Sequence, residues 1–104
     1  MTEPAAGPSG PGTVMMELGG DTGALILYTP GDMDGAEIEI SRDGDPDGHR
    51  THSQVRQRHL PTVTRYAAVY PGLLAGTYSI WGDRGPAVTA VITGGQVTSC
   101  SWPG

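Results

Sequence analysis

The chain of 104 residues contains no phenylalanine, no lysine and no asparagine, and its single cysteine is Cys100. Without Phe, burial falls to Leu, Ile, Val, Met, Tyr and two Trp. A lone cysteine excludes an intrachain disulfide, so packing alone must hold the fold, which suits a reducing compartment. With lysine absent, all six basic residues are arginine, and the net charge is -5. An acidic balance disfavours nonspecific binding to nucleic acid or anionic lipid, because either partner needs a positive field. No run approaches the ~20 apolar residues of a membrane helix. The first residues carry neither the basic nor the apolar region of a signal peptide, and the expectation is a cytoplasmic protein.

Glycine and proline are plentiful, at 17 and 9 residues, while only 16% of the chain is charged. That balance favours many short elements joined by tight turns, in one domain with a modest core. Residues 1–12 are Pro/Gly-rich and nearly devoid of apolar side chains, so they read as a flexible tail, and 13–104 as the domain. Strands are expected over 14–18, 24–28, 36–41, 50–60, 62–70, 77–81, 87–93 and 96–102. The second of these is apolar on both faces; the third alternates strictly, with Ile38 and Ile40 on one face and Glu37 and Glu39 on the other. In 62–70, Tyr66, Ala68 and Tyr70 share one face and Arg65, Ala67 and Val69 the other. Pro71-Gly72 is expected to end that strand, and Gly94-Gly95 to join the last two as a hairpin. About seven short strands without a normal helix predict an all-β, antiparallel β-sandwich.

The run Tyr70-Pro71-Gly72-Leu73-Leu74-Ala75-Gly76-Thr77-Tyr78, followed by Gly94-Gly95-Gln96-Val97, resembles the prealbumin-like domains, the CnaB, carboxypeptidase-regulatory and transthyretin-like group. The resemblance implies the same sandwich over roughly residues 24–102. The CnaB isopeptide cross-link needs lysine, which this chain lacks. Transthyretin-like hydroxyisourate hydrolases use His and Arg, and the resemblance implies His52, Arg56 and His59 as the residues such a hydrolase would recruit, although the C-terminal Tyr-Arg-Gly-Ser of those enzymes is missing.

Several constellations carry chemistry. In the polar strand, Arg50, His52, Gln54, Arg56 and Arg58 fall on one face at period two, a stripe able to meet carboxylates in bidentate fashion. This predicts a non-catalytic accessory module that recognises an acidic or protein partner, or a second copy of itself as a homodimer, and neither nucleic acid nor membrane. The bland counterpart is a charged edge strand that discourages aggregation. Asp43, Asp45 and Asp47, followed by Gly48, have the spacing of a calcium loop, with Gln54 where a bidentate Glu would close it. A solvated acidic turn is the preferred reading, since that closing ligand is missing and Pro46 constrains the loop. His49, His52 and His59 are close in sequence, but the odd separation of the last two puts them on opposite strand faces, so no metal site is assigned. Cys100 reads as a structural thiol. Tyr66, Tyr70, Tyr78 and Trp81 read as core aromatics rather than a platform for sugars or bases.

Overall fold

The computed structural model describes residues 18–45 and 48–103. The tail, all but one residue of the expected first strand, and Asp47 lie outside the described residues. Eight strands follow in order: β1 Thr22–Thr29, β2 Glu37–Arg42, β3 Arg50–Gln54, β4 Arg56–His59, β5 Thr64–Leu74, β6 Gly76–Gly82, β7 Gly85–Ile92 and β8 Val97–Ser101. They build two four-stranded sheets, sheet A in the order β4-β5-β1-β8 and sheet B in the order β3-β2-β6-β7. The all-β sandwich expected from turn spacing is the architecture found. One 3-10 turn, Gly31–Met33, interrupts the strands, and no helix among the described residues is long and apolar enough to cross a membrane.

Alternation decides what lies between the sheets. Leu25, Leu27, Ala68 and Tyr70 of sheet A meet Ile38, Ile40, Tyr78, Ile80 and Ile92 of sheet B, all nearly or fully removed from water. Each such large apolar side chain contributes on the order of 1.5–3 kcal/mol. Among the side-chain hydrogen bonds that pin the sheets to each other, Tyr70 donates its hydroxyl to the Ile38 carbonyl at 2.8 Å, and Ser53 Oγ donates to the Val69 carbonyl at 2.8 Å. Burial pushes the Tyr70 phenol up, so it stays a donor.

Three expectations need correction. Gly94-Gly95 does reverse the chain, but β7 and β8 do not pair: β8 crosses to sheet A and lies parallel to β1, with Leu27 beside Cys100. Pro71-Gly72 does not end a strand. β5 runs on to Leu74 through a bulge in its pairing with β1, where the register shifts between Gly23 and Leu25. A bulge suits these two residues, since Pro71 has no N–H to offer a ladder and Gly72 sits at φ 71°, which other residues resist. The chain changes sheets only at Ala75. Finally, the polar stretch from Arg50 to His59 is two strands. Its one apolar member, Val55, is fully buried, and there the chain leaves sheet B and enters sheet A.

Candidate functional site

The corner at Val55 determines what becomes of the arginine stripe. A buried residue in mid-strand keeps the outward parity of its neighbours, so Arg50, His52, Gln54, Arg56 and Arg58 all point away from the core. The surface they belong to changes at the corner. In β3, Arg50, His52 and Gln54 stand opposite Ser41, Glu39 and Glu37 on the outer face of sheet B. In β4, Arg56 and Arg58 stand opposite Ala67 and Arg65 on the outer face of sheet A. The expected single face is therefore a band wrapped around one edge of the sandwich. Arg56 Nη1 donates to Gln54 Oε1 at 2.8 Å and bridges the two halves.

The halves differ in charge. On sheet B the basic side chains are answered by carboxylates: Arg50 Nη1 lies 2.8 Å from Glu39 Oε1, and His52 Nδ1 lies 2.6 Å from Glu37 Oε1. These pairs are half exposed, and each is worth only about 0–1 kcal/mol. Gln54 Nε2 donates to the Gly35 carbonyl at 3.2 Å. The Arg50 guanidinium also stacks 4.0 Å from the centroid of Trp81, whose Nε1 donates to Ser41 Oγ at 2.9 Å. Trp81 is thus on the outside of sheet B, not in the core. Tyr70 and Tyr78 are buried as expected, and Tyr66 packs partly against the core.

On sheet A no carboxylate of a described residue answers. Arg56, Arg58 and Arg65 form no ion pair with any described residue. Arg58 and Arg65 are register partners across the β4–β5 ladder, with the Arg65 guanidinium turned onto β1 and Arg56 the cation that acts on Arg58. The Arg58 Nε is enclosed and has no hydrogen-bond partner among the described residues. Burial, and then the nearby Arg56, lower its pKa. Arg65 is held by its stack on Tyr28, 3.9 Å from the ring centroid. The outward positions of β5, β1 and β8 beside these arginines are Ala67 and Val69, Ile26 and Tyr28, and Ser99 and Ser101, so among the described residues this face carries cations without acids.

The other candidates fare differently. Asp43 Oδ1 accepts a hydrogen bond from Ser79 Oγ at 2.7 Å, a link to strand β6 rather than to the loop. Asp45 is part-buried, with its N–H on the Arg42 carbonyl, and no three His, Cys, Asp or Glu side chains gather among the described residues. His52, Arg56 and His59 diverge: the first is outward on sheet B, the second outward on sheet A, and the third has the opposite parity on β4, near Thr64 Oγ1 at 3.4 Å. Cys100 is half-buried against the core, and burial raises its pKa, which suits a structural thiol.

Sequence reasoning missed Arg65, Tyr28, Glu37, Glu39 and Trp81 as neighbours of the stripe. A signal for two of them was available, since Glu37 and Glu39 occupy the wet face of their strand. No family model matches the chain, and neither a curated protein nor a solved structure matches it.

Proposed function

We propose that the chain is a non-catalytic accessory module that takes an acidic protein segment on the outer face of sheet A. Arg56, Arg58 and Arg65 bind its carboxylates. The observation that carries this reading is a set of three arginines on one outer face with no ion-pair partner among the described residues, which an anionic guest compensates. The β4 strand is also one of the two edge strands of sheet A, so an extended guest can add main-chain hydrogen bonds there while alternate side chains reach the guanidinium groups. Arg50, His52 and Gln54 are not part of this face. The likeness to prealbumin-like domains belongs to the proposal at the level of a two-sheet sandwich, without the hydrolase residues. The single half-buried thiol supports a reducing, cytoplasmic setting.

The reading is tested with a fluorescein-labelled Glu/Asp-rich peptide followed by anisotropy. Binding is expected to be salt-sensitive, to drop about tenfold or more in the Arg56→Glu, Arg58→Glu double variant, and to be unchanged in Arg50→Glu. Equal affinity of the double variant and the parent protein overturns it. Concentration-dependent dimerisation that is lost in the same double variant would identify the acidic guest as a second copy.

A further inference from the structure

Strand β8 is the other edge of sheet A, and among the described residues no strand pairs with its outer side. We propose that the chain closes this edge itself, with Val14-Met15-Met16-Glu17-Leu18 lying antiparallel along β8 as a fifth strand of sheet A. The sequence predicts a strand over these residues, of which only Leu18 is among those described. Where the chain enters the fold decides the place of that strand.

Main-chain hydrogen bonds fix the point of entry. Gly19 and Thr22 exchange both of theirs, at 3.1 and 2.9 Å, and the Thr22 carbonyl also accepts from the Gly95 N–H at 2.8 Å. Thr22 has Leu74 of β5 on its other side, so Gly19 stands on the β8 side of β1. Upstream residues find the next place beside β1 taken, because the Ala24 N–H donates to the Gln96 carbonyl at 3.0 Å. The entering chain is also pressed against the turn that opens β8, since a β-carbon on Gly94 would collide with the Gly20 carbonyl. Two sheet edges flank that turn, β7 and β8. Near the turn the β7 edge is engaged, its Val91 carbonyl accepting from Thr98 Oγ1 at 3.1 Å. The β8 edge is the one left to pair.

Edge and segment match group for group. Gln96 meets β1 through its carbonyl and Trp102 through its N–H, which donates to the Tyr28 carbonyl at 2.8 Å. Alternate residues of β8 therefore turn their main chain to β1, and Val97, Ser99 and Ser101 turn theirs to the open side. An antiparallel strand answers such a row with every second residue. Leu18 opposite Val97 puts Met16 opposite Ser99 and Val14 opposite Ser101. Leu18 and Val97 are both exposed, and this pairing covers each with the other. Val14, Met16 and Leu18 share one face by strand parity, and Glu17 falls opposite the half-exposed Thr98.

Tethering favours this occupant over any free one. Only Gly19, Gly20 and Asp21 separate the segment from β1, so its effective concentration at the edge is on the order of millimolar. An open edge invites pairing between chains, and an intramolecular strand removes that hazard. With β8 closed, β4 is the edge of sheet A that stays open to a guest. The segment pairs with none of the arginines of that face, so the two assignments stand or fall separately.

This register sets Met15 opposite Cys100 in a pair that exchanges no main-chain hydrogen bonds, where Cα atoms stand about 4.5 Å apart, within disulfide range. In the full chain, Met15→Cys is expected to form an intrachain disulfide with Cys100 under mild oxidation of dilute protein, with both thiols lost at the mass of a monomer. Met16→Cys, whose side chain points to the outer face, is expected to form none. Met16→Pro removes the N–H aimed at Ser99 and is expected to speed maleimide labelling of Cys100 about tenfold. Absence of the intrachain disulfide in Met15→Cys overturns the inference. So do equal yields from the two cysteine variants, as a segment sampling the edge without register would give. Disulfides found only between chains hand the edge to a second copy and overturn it as well, and so does an unchanged labelling rate in Met16→Pro.

Discussion

Arg58 stands directly opposite Arg65 in the β4–β5 register, and no carboxylate among the described residues lies within ion-pair distance of either. Folding alone gives no reason to enclose the unpartnered Arg58 Nε beside Arg56, since an unsatisfied enclosed donor costs about 1–3 kcal/mol. Arg58→Glu is therefore expected to hold or raise stability by roughly 0.5 kcal/mol while removing affinity for acidic peptide. Denaturant melts and peptide anisotropy on the same variant check both signs. A variant that is clearly destabilised and still binds contradicts the account.

The Tyr70 hydroxyl is a buried polar tie between the sheets. Tyr70→Phe leaves the Ile38 carbonyl without that partner and is expected to cost about 1–2 kcal/mol with no change in peptide binding. Urea unfolding followed by circular dichroism measures it.

Stability should also fall in alkali. Tyr70, Tyr78 and Cys100 all have pKa values raised by burial, so above the ordinary thiol and phenol ranges the unfolded chain loses protons that the folded chain keeps. This contribution is fully present at neutral pH and declines as pH rises past about 8.5–10. Cys100→Ala is expected to remove the early part of the decline. An unchanged profile in that variant would show that the thiol is not responsible.

Gly72 tests the bulge. At φ 71° with open space around its α-carbon, an added side chain meets no atom, so the cost of Gly72→Ala is conformational and about 1–2 kcal/mol. Gly72→Asn is expected to recover part of it, because Asn tolerates this backbone region better. Thermal melts of the two variants give the order. Equal losses would mean that the positive φ is not what the position demands.

Much of the sandwich was legible because a period of two fixes which residues face inward: Ile38 and Ile40 are buried, and Glu37 and Glu39 are wet, as the alternation of β2 requires. What parity does not encode is sheet membership. Gly94-Gly95 signals a reversal but not the strand on which the returning chain will lie, and here it lies on β1. Val55 is one of two apolar residues in the polar stretch 50–60, with Leu60, and nothing in the alternation marks it as a corner. It is the corner, and it sends half of the arginine stripe to each side of the molecule. Trp81 was assigned to the core on hydrophobicity alone, whereas its outward parity, shared with Ser79, places it beside Arg50.

The division of the stripe is tested most directly by backbone amide chemical-shift mapping with an acidic peptide. The account predicts perturbations concentrated on Arg56, Arg58, Arg65 and their neighbours in β4, β5 and β1, with Arg50 and His52 unmoved. Perturbations centred on Arg50, His52 and the β2 glutamates, or running unbroken along both halves of the stripe, would contradict it.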